Sequence, residues 1–226
     1  MNIFHNQFGF LKNSSTTHAL ARLQNDVNLG LNDGKITTIV AVDLRAAFDV
    51  MWHDGLLYKM NKLGFGPMIC KMINFFLKNR SFAVRIGGFI SKRFNMMYGS
   101  PQGSVLSPLL FNIFMYDIPA DPVAKMVQYA DDTTIYMTHN RPEYIQFVLN
   151  NYLMKITEFF KTWKLLLSDG KTEIMNIIGS QRDTSRSLRR GAANMKITLN
   201  NRILVFARDI RLLGVQMQSN TFLPKI

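Results

Sequence analysis

Two strand-forming runs, Lys125–Tyr129 and residues 133–137, are separated only by Ala130, Asp131 and Asp132. So short a connection cannot carry the chain back across a sheet, so the two runs must pair antiparallel as a hairpin. Neighbouring side chains of a regular strand point to opposite faces, and only a tight turn lets Asp131 and Asp132 serve one site. The same spacing therefore constrains both the fold and the chemistry.

Elsewhere the chain mixes periods without regular alternation. Ser14-Ser15-Thr16 supplies capping side chains ahead of Ala19, Leu20, Leu23 and Val27 at helical spacing, and Asn32-Asp33-Gly34 breaks that helix. The β-branched run 37–42 reads as a buried strand that ends at Asp43. Residues 67–79 read as a helix, 82–86 and 89–97 as a strand pair around Gly87-Gly88, and Ser107-Pro108 as the cap and start of an apolar helix through Ile118. Ile145, Val148, Leu149, Tyr152, Ile156, Phe159, Phe160 and Trp163 form one stripe of a long helix. Asp169-Gly170 then turns the chain into a strand over 174–178, short strands follow near Ile197 and Val215, and the Arg-rich stretch 181–191 reads as a basic loop. The expected class is α+β, with an antiparallel sheet packed on helices.

A chain of 226 residues, 47% hydrophobic, suffices for one good-sized core. Its 27 Lys and Arg against 15 Asp and Glu leave a net charge of +12, which favours a polyanionic partner. Nucleic acid is the first expectation and an anionic membrane surface the second. The lone Cys70 cannot form an internal disulfide and reads as a small buried residue. No secretory start or long apolar run is present, so a soluble intracellular protein with no membrane partner is expected. His18 and His53 stand apart from any ligand cluster and read as structural hydrogen-bonding residues, and the methionines as core filler.

An acidic pair at a hairpin tip in a basic chain is unfavourable unless a cation neutralises it, and Mg²⁺ commonly takes one or two protein carboxylates plus water and phosphate oxygens. Adding Asp43 gives the minimum set for two ions about 4 Å apart, the arrangement of metal-assisted nucleotidyl transfer. The bland alternative is a solvated turn, since Asp is common in turns.

Tyr129-Ala130-Asp131-Asp132 resembles the catalytic loop of reverse transcriptases, and it stands in order among other matching segments. Gln7-Phe8-Gly9-Phe10 with Ser15-Thr16-Thr17-His18-Ala19 looks like the opening segment of non-LTR retrotransposon polymerases. Ala41-Val42-Asp43-Leu44-Arg45-Ala46-Ala47-Phe48-Asp49, followed by Trp52-His53-Asp54, looks like their first catalytic motif. Residues 100–111, with Pro101-Gln102-Gly103 near their start, are similar to the template and nucleotide contact motif. Lys171-Thr172-Glu173 and Leu212-Leu213-Gly214-Val215 resemble later motifs. The resemblance is to the jockey type, and its matches run from residue 7 to residue 215.

The resemblance implies an RNA-directed DNA polymerase that extends a DNA primer on an RNA template from deoxynucleoside triphosphates. Asp43, Asp131, Asp132 and the backbone carbonyl of Leu44 would hold two Mg²⁺ ions, with Mn²⁺ as the alternative. Phe48 would lie under the incoming sugar and reject a 2′-hydroxyl, with Gln102, Gly103 and Tyr129 also at the nucleotide. Lys171 would approach the triphosphate and protonate pyrophosphate. Arg208, Arg211, Leu213 and Gly214 would meet the primer.

The expected partition is partial fingers over 1–36 and 67–99, palm over 37–66 and 100–178, a basic loop over 179–194, and a primer-grip-like hairpin region over 195–226, with no thumb. The chain is thus expected to be a fragment of a larger retrotransposon polyprotein, acting in the nucleus. The second reading is a catalytically silent remnant or nucleic-acid-binding module that keeps the palm fold. The third is a related palm enzyme, such as a group II intron maturase or telomerase-type polymerase, which Trp52-His53-Asp54 and the match over 100–111 disfavour.

Overall fold

The computed structural model describes residues 5–168, 170–179, 185–219 and the backbone of 221–225. In chain order the elements are α1 (Thr16–Asn32), β1 (Ile36–Val42), α2 (Ala47–Val50), α3 (His53–Lys62), α4 (Pro67–Leu77), β2 (Arg80–Phe82), β3 (Arg85–Ile86), β4 (Phe89–Ile90), β5 (Phe94–Met96) and α5 (Leu106–Met115). Then come β6 (Lys125–Tyr129), β7 (Asp132–His139), α6 (Pro142–Thr162), β8 (Glu173–Ile178), α7 (Arg186–Ala193), β9 (Thr198–Leu199), β10 (Arg202–Ile203), β11 (Asp209–Leu212), β12 (Val215–Gln218) and β13 (Thr221–Lys225). They form two compact units, one of residues 1–45, 118–160 and 167–226, the other of 46–117 and 161–166.

The first unit is built on a four-stranded sheet in the order β6-β7-β1-β8, with antiparallel pairing throughout. β1 lies inside the sheet, and its β-branched side chains suit a strand buried on both faces. Ile39 faces Tyr136 on one neighbour and Met175 on the other, and this face joins Ala19, Leu23 and Val27 of α1 and Ile210, Leu212 and Met217 of β11 and β12 in one cluster. α1 starts at Ser15, whose hydroxyl accepts from the His18 amide. Its apolar stripe carries its stability, and cutting Leu23 to Ala costs about 2–5 kcal/mol. The stripe of α6, from Ile145 to Phe160, is buried as its periodicity requires.

The second unit is mainly helical: α3 packs against α4 and α5, and β2 pairs with β5 while β3 pairs with β4. Its most enclosed cation is Lys59, which donates to the Phe114 carbonyl and to Asp117 and lies 3.7 Å from the Trp163 ring centroid. Burial drives this ammonium down to about 8, against the opposing pull of Asp117.

The α+β class and the antiparallel sheet agree with expectation, and several finer features differ. Residues 5–36 lie in the sheet unit, where α1 buries its stripe, while 46–66 and 100–117 lie with 67–99 in the helical unit. α5 begins at Leu106 and ends at Met115, with Ser107 inside it: the hydroxyl of Ser104 accepts from the Ser107 amide. Within the stretch expected to be a basic loop, α7 forms from residue 186, because Ser185 caps the Leu188 amide and Ala192 is buried. Residues 181–184 and Asp169 lie outside the described residues. Cys70 is buried. Among the described residues no helix is long and apolar enough to cross a membrane.

Candidate active site

The site sits where the sheet's central strand runs out. The β1–β7 ladder closes with Val42 opposite Thr133, and the β1–β8 ladder closes with Ala41 opposite Glu173. One step past its last pair the β1–β7 register brings Asp43 level with Asp132, whereas on the other side the β1–β8 ladder stops at Ala41–Glu173 and Lys171 meets Asp43 only as part of a shared cleft lining. Asp43 is fixed by its backbone: its carbonyl accepts from Ser168 at 2.9 Å, and Leu44 bridges Leu167.

β6 turns into β7 through Ala130 and Asp131 alone, with Tyr129 paired to Asp132. Ala130 has φ of +59°, the sign that a two-residue hairpin turn of the primed type demands and that an alanine adopts at a cost of about 1–2 kcal/mol. The β11–β12 hairpin also turns through two residues, but there both Leu213 (φ +48°) and Gly214 (φ +85°) are left-handed, whereas in the first hairpin only Ala130 is.

One cleft of the first unit is lined by Asp43, Tyr129, Asp132, Lys171, Glu173, Arg211 and Leu213. It gathers residues to which the family resemblance gives metal, nucleotide, leaving-group and primer roles. Asp131 is outside its lining but is coupled to it electrostatically: burial, then the charge of Asp43, raises the Asp131 carboxyl above its ordinary value. Burial likewise raises Asp132, with the charges of Asp131 and Asp43 adding to it. Arg208, Gly214 and Leu44 are not in the lining, and Arg208 is exposed.

Among the described residues none of the three carboxylates enters an ion pair. Nor do three or more His, Cys, Asp or Glu side chains there close around a metal-sized space. The donor set is nonetheless hard oxygen only, mutually repelling and partly desolvated. That suits an ion which takes one or two carboxylates and completes its shell with water and phosphate oxygens.

The remaining candidates lie in the second unit. Phe48 is half-buried with its ring 4.6 Å from that of Phe111. Gln102 is exposed and donates to Asp49 at 2.8 Å, and Gly103 has φ of +80° with open space where a side chain would be. The loop that carries them is pinned to the Phe48 turn: Ser100 N–H donates to the Phe48 carbonyl, and Gly99 N–H to that of Met51. The Gly99 carbonyl in turn accepts from His53 Nε2 at 2.7 Å and from Arg80. His53 is thus the structural residue expected, although no pattern in the sequence tied it to this loop.

Sequence reasoning passed over Glu173, which shares the cleft, and Gln7, whose side chain reaches the Ala130 backbone. Glu173 could have been found from its position two residues from Lys171. The partner of Gln7 is 123 residues away, and its only signal was its place in Gln7-Phe8-Gly9-Phe10.

Residues 1–217 match the family described as reverse transcriptase (RNA-dependent DNA polymerase). The probable RNA-directed DNA polymerase from transposon BS of Drosophila melanogaster is 34% identical over 174 residues, which cover 74% of this chain and 19% of that protein. The RNA-directed DNA polymerase from mobile element jockey of Drosophila funebris is 29% identical, over 92% of this chain and 22% of that protein. The chain therefore spans about a fifth of the length of these relatives. Among solved structures, the telomerase of Candida tropicalis in complex with a TWJ fragment of telomeric RNA superposes with a TM-score of 0.65 at 12% identity, over 99% of this chain and 34% of that one, a likeness of fold. With a polymerase-type sheet, a carboxylate-bearing hairpin at its end and a family match that runs through both units, the chain belongs to the reverse transcriptase family, in the branch carried by jockey-like non-LTR retrotransposons.

Proposed function

We propose that this chain is the nucleotidyl-transfer part of an RNA-directed DNA polymerase, extending a DNA 3′ end on an RNA template from deoxynucleoside triphosphates. What supports this is the β1–β7 register, which carries Asp43 level with Asp132, together with the cleft that both share with Lys171. Asp43, Asp131, Asp132 and the Leu44 carbonyl would hold two Mg²⁺, or Mn²⁺ in their place. Bound there, divalent ions lower the barrier by neutralising charge on the attacking and leaving oxygens.

The chain's own residues do the rest. Lys171 shares the cleft with Asp43 and Asp132, and its ammonium is the proton donor for the departing pyrophosphate. Phe48 blocks a 2′-hydroxyl, while the Gln102 amide and the bare backbone of Gly103 allow close contact with nucleotide and template. Tyr129 closes the nucleotide side of the hairpin. Arg211, Leu213 and Gly214, with Arg208 beyond the cleft, steady the primer strand. In fold terms the sheet unit is the palm, and residues 67–99 belong to the fingers. The chain works as part of a longer polyprotein and acts in the nucleus.

Primer extension on an RNA template with Mg²⁺ and deoxynucleotides tests this, comparing the chain, a form lengthened at both ends, and Asp131→Ala. The reading expects extension that Asp131→Ala abolishes. Extension that survives the substitution overturns the site, and binding without extension in every form favours the silent nucleic-acid-binding module.

A further inference from the structure

The turn that presents Asp131 has a problem of its own. Ala130 is held left-handed at φ +59°, and its N–H and C=O sit at a hairpin tip where the ladder offers them no strand partner. Both groups are met by one side chain from the start of the chain. Gln7 Oε1 accepts from the Ala130 amide at 2.9 Å, and Gln7 Nε2 donates to the Ala130 carbonyl at 3.2 Å. The same Oε1 accepts from the Gly9 amide at 2.7 Å, which fixes the glutamine rotamer.

The backbone on either side locks this contact in place. Gln128 N–H donates to Asn6 and its carbonyl accepts from Phe8, so residues 6–8 lie parallel along the free edge of β6. Gly9 crosses so close that an added Cβ would stand 2.4 Å from the Ala130 nitrogen and 3.0 Å from the Tyr129 carbonyl carbon. Gln7 is only 6% exposed, so its amide exchanges few of these bonds for water.

We infer that Gln7 is a positioning residue, a side-chain clamp on the Ala130 peptide that fixes the direction in which Asp131 and Asp132 leave the hairpin tip. The inference rests on the polymerase reading for its consequence, though not for the clamp itself. An amide suits the task because it accepts and donates at once. A carboxylate would accept from the Ala130 N–H but repel its carbonyl, and methionine, of similar length, would fill the space while doing neither. Outer residues that orient metal ligands typically affect metal affinity or activity by about 10–100-fold when lost.

The test compares the full chain with Gln7→Met and Gly9→Ala by three readouts. Hydrogen exchange of the Ala130 amide reports the clamp directly, with the β1 amides as the internal control. Mn²⁺ titration followed by electron paramagnetic resonance reports ligand presentation, and steady-state extension separates kcat from KM for the RNA–DNA hybrid. Gln7→Met is expected to speed Ala130 exchange about tenfold or more with β1 unaffected, to weaken Mn²⁺ binding about 10–100-fold, and to lower kcat in proportion with little change in KM. Gly9→Ala is expected to move all three the same way. Unchanged Ala130 exchange overturns the clamp, and faster exchange with unchanged Mn²⁺ affinity overturns its role in presenting the carboxylates. A parent chain that binds Mn²⁺ but does not extend counts against the polymerase reading alone.

Discussion

Asp43 lies one step past the Val42–Thr133 pair, on the register that faces it toward Asp132. Two carboxylates set against each other at the end of a buried strand work against the fold, and burial first, with the neighbouring negative charges second, pushes the Asp131 and Asp132 carboxyls above their ordinary range. Replacing Asp131 with Asn should therefore raise the melting temperature at neutral pH while extension falls by about a hundred- to a thousandfold. Thermal unfolding and primer extension on one preparation check both halves.

Phe48 carries the expectation of sugar selection. Phe48→Val should raise the ratio of ribonucleotide to deoxynucleotide incorporation by about 10- to 200-fold, the range that pocket size alone can command. Single-nucleotide kcat/KM values for the two substrates measure it. An unchanged ratio would make Phe48 a plain partner of Phe111.

His53 should make stability depend on pH. Burial lowers its imidazole below the ordinary 6.5, and the charges of Arg80 and Lys78 work in the same direction against the Gly99 hydrogen bond and Asp54. A folded value below the unfolded one means that the contribution is present above about pH 6.5 and lost as pH falls through the folded value. The urea midpoint should drop between about pH 7.5 and 5.5, and the drop should shrink in His53→Gln, which keeps an N–H donor but does not titrate.

The loop carrying Gln102 should tolerate added side chains unequally. Both Gly99 and Gly103 have positive φ, but a Cβ on Gly99 would stand 2.6 Å from the Asp49 carbonyl oxygen, whereas none is in reach of Gly103. Gly103→Ala should cost about 1–2 kcal/mol from the backbone conformation alone. Gly99→Ala should cost more, and it should also displace the Phe48 turn. Urea unfolding of the two variants checks the order.

The parts legible in the sequence are those set by spacing. Three residues between two strand runs dictated the β6–β7 hairpin, and the β-branched run before Asp43 dictated β1. Lys171 is tied to them by the family resemblance alone, since spacing does not say which sheet the strand after Asp169-Gly170 joins. What stayed hidden depends on contacts between distant positions. An apolar stripe on α1 says that the helix is buried but not against what, so its place on the sheet is not legible from the stripe alone. α7 is hard to read because its sequence is rich in Arg and carries little apolar surface; a Ser185 cap, a buried Ala192 and the hydrogen bond from Asn176 to the Ala192 carbonyl support it. Gln7 escaped because nothing local distinguishes a glutamine that clamps a turn from one that faces water.

On the proposed function, Asp43 and the hairpin tip share divalent ions. A crystal structure with Mn²⁺, an RNA–DNA hybrid and a non-hydrolysable deoxynucleotide, phased for anomalous scattering, tests it most directly. An anomalous peak within about 2.0–2.3 Å of oxygens from both Asp43 and Asp131 is expected. Peaks that touch only one of the two, or that lie away from both, would contradict it.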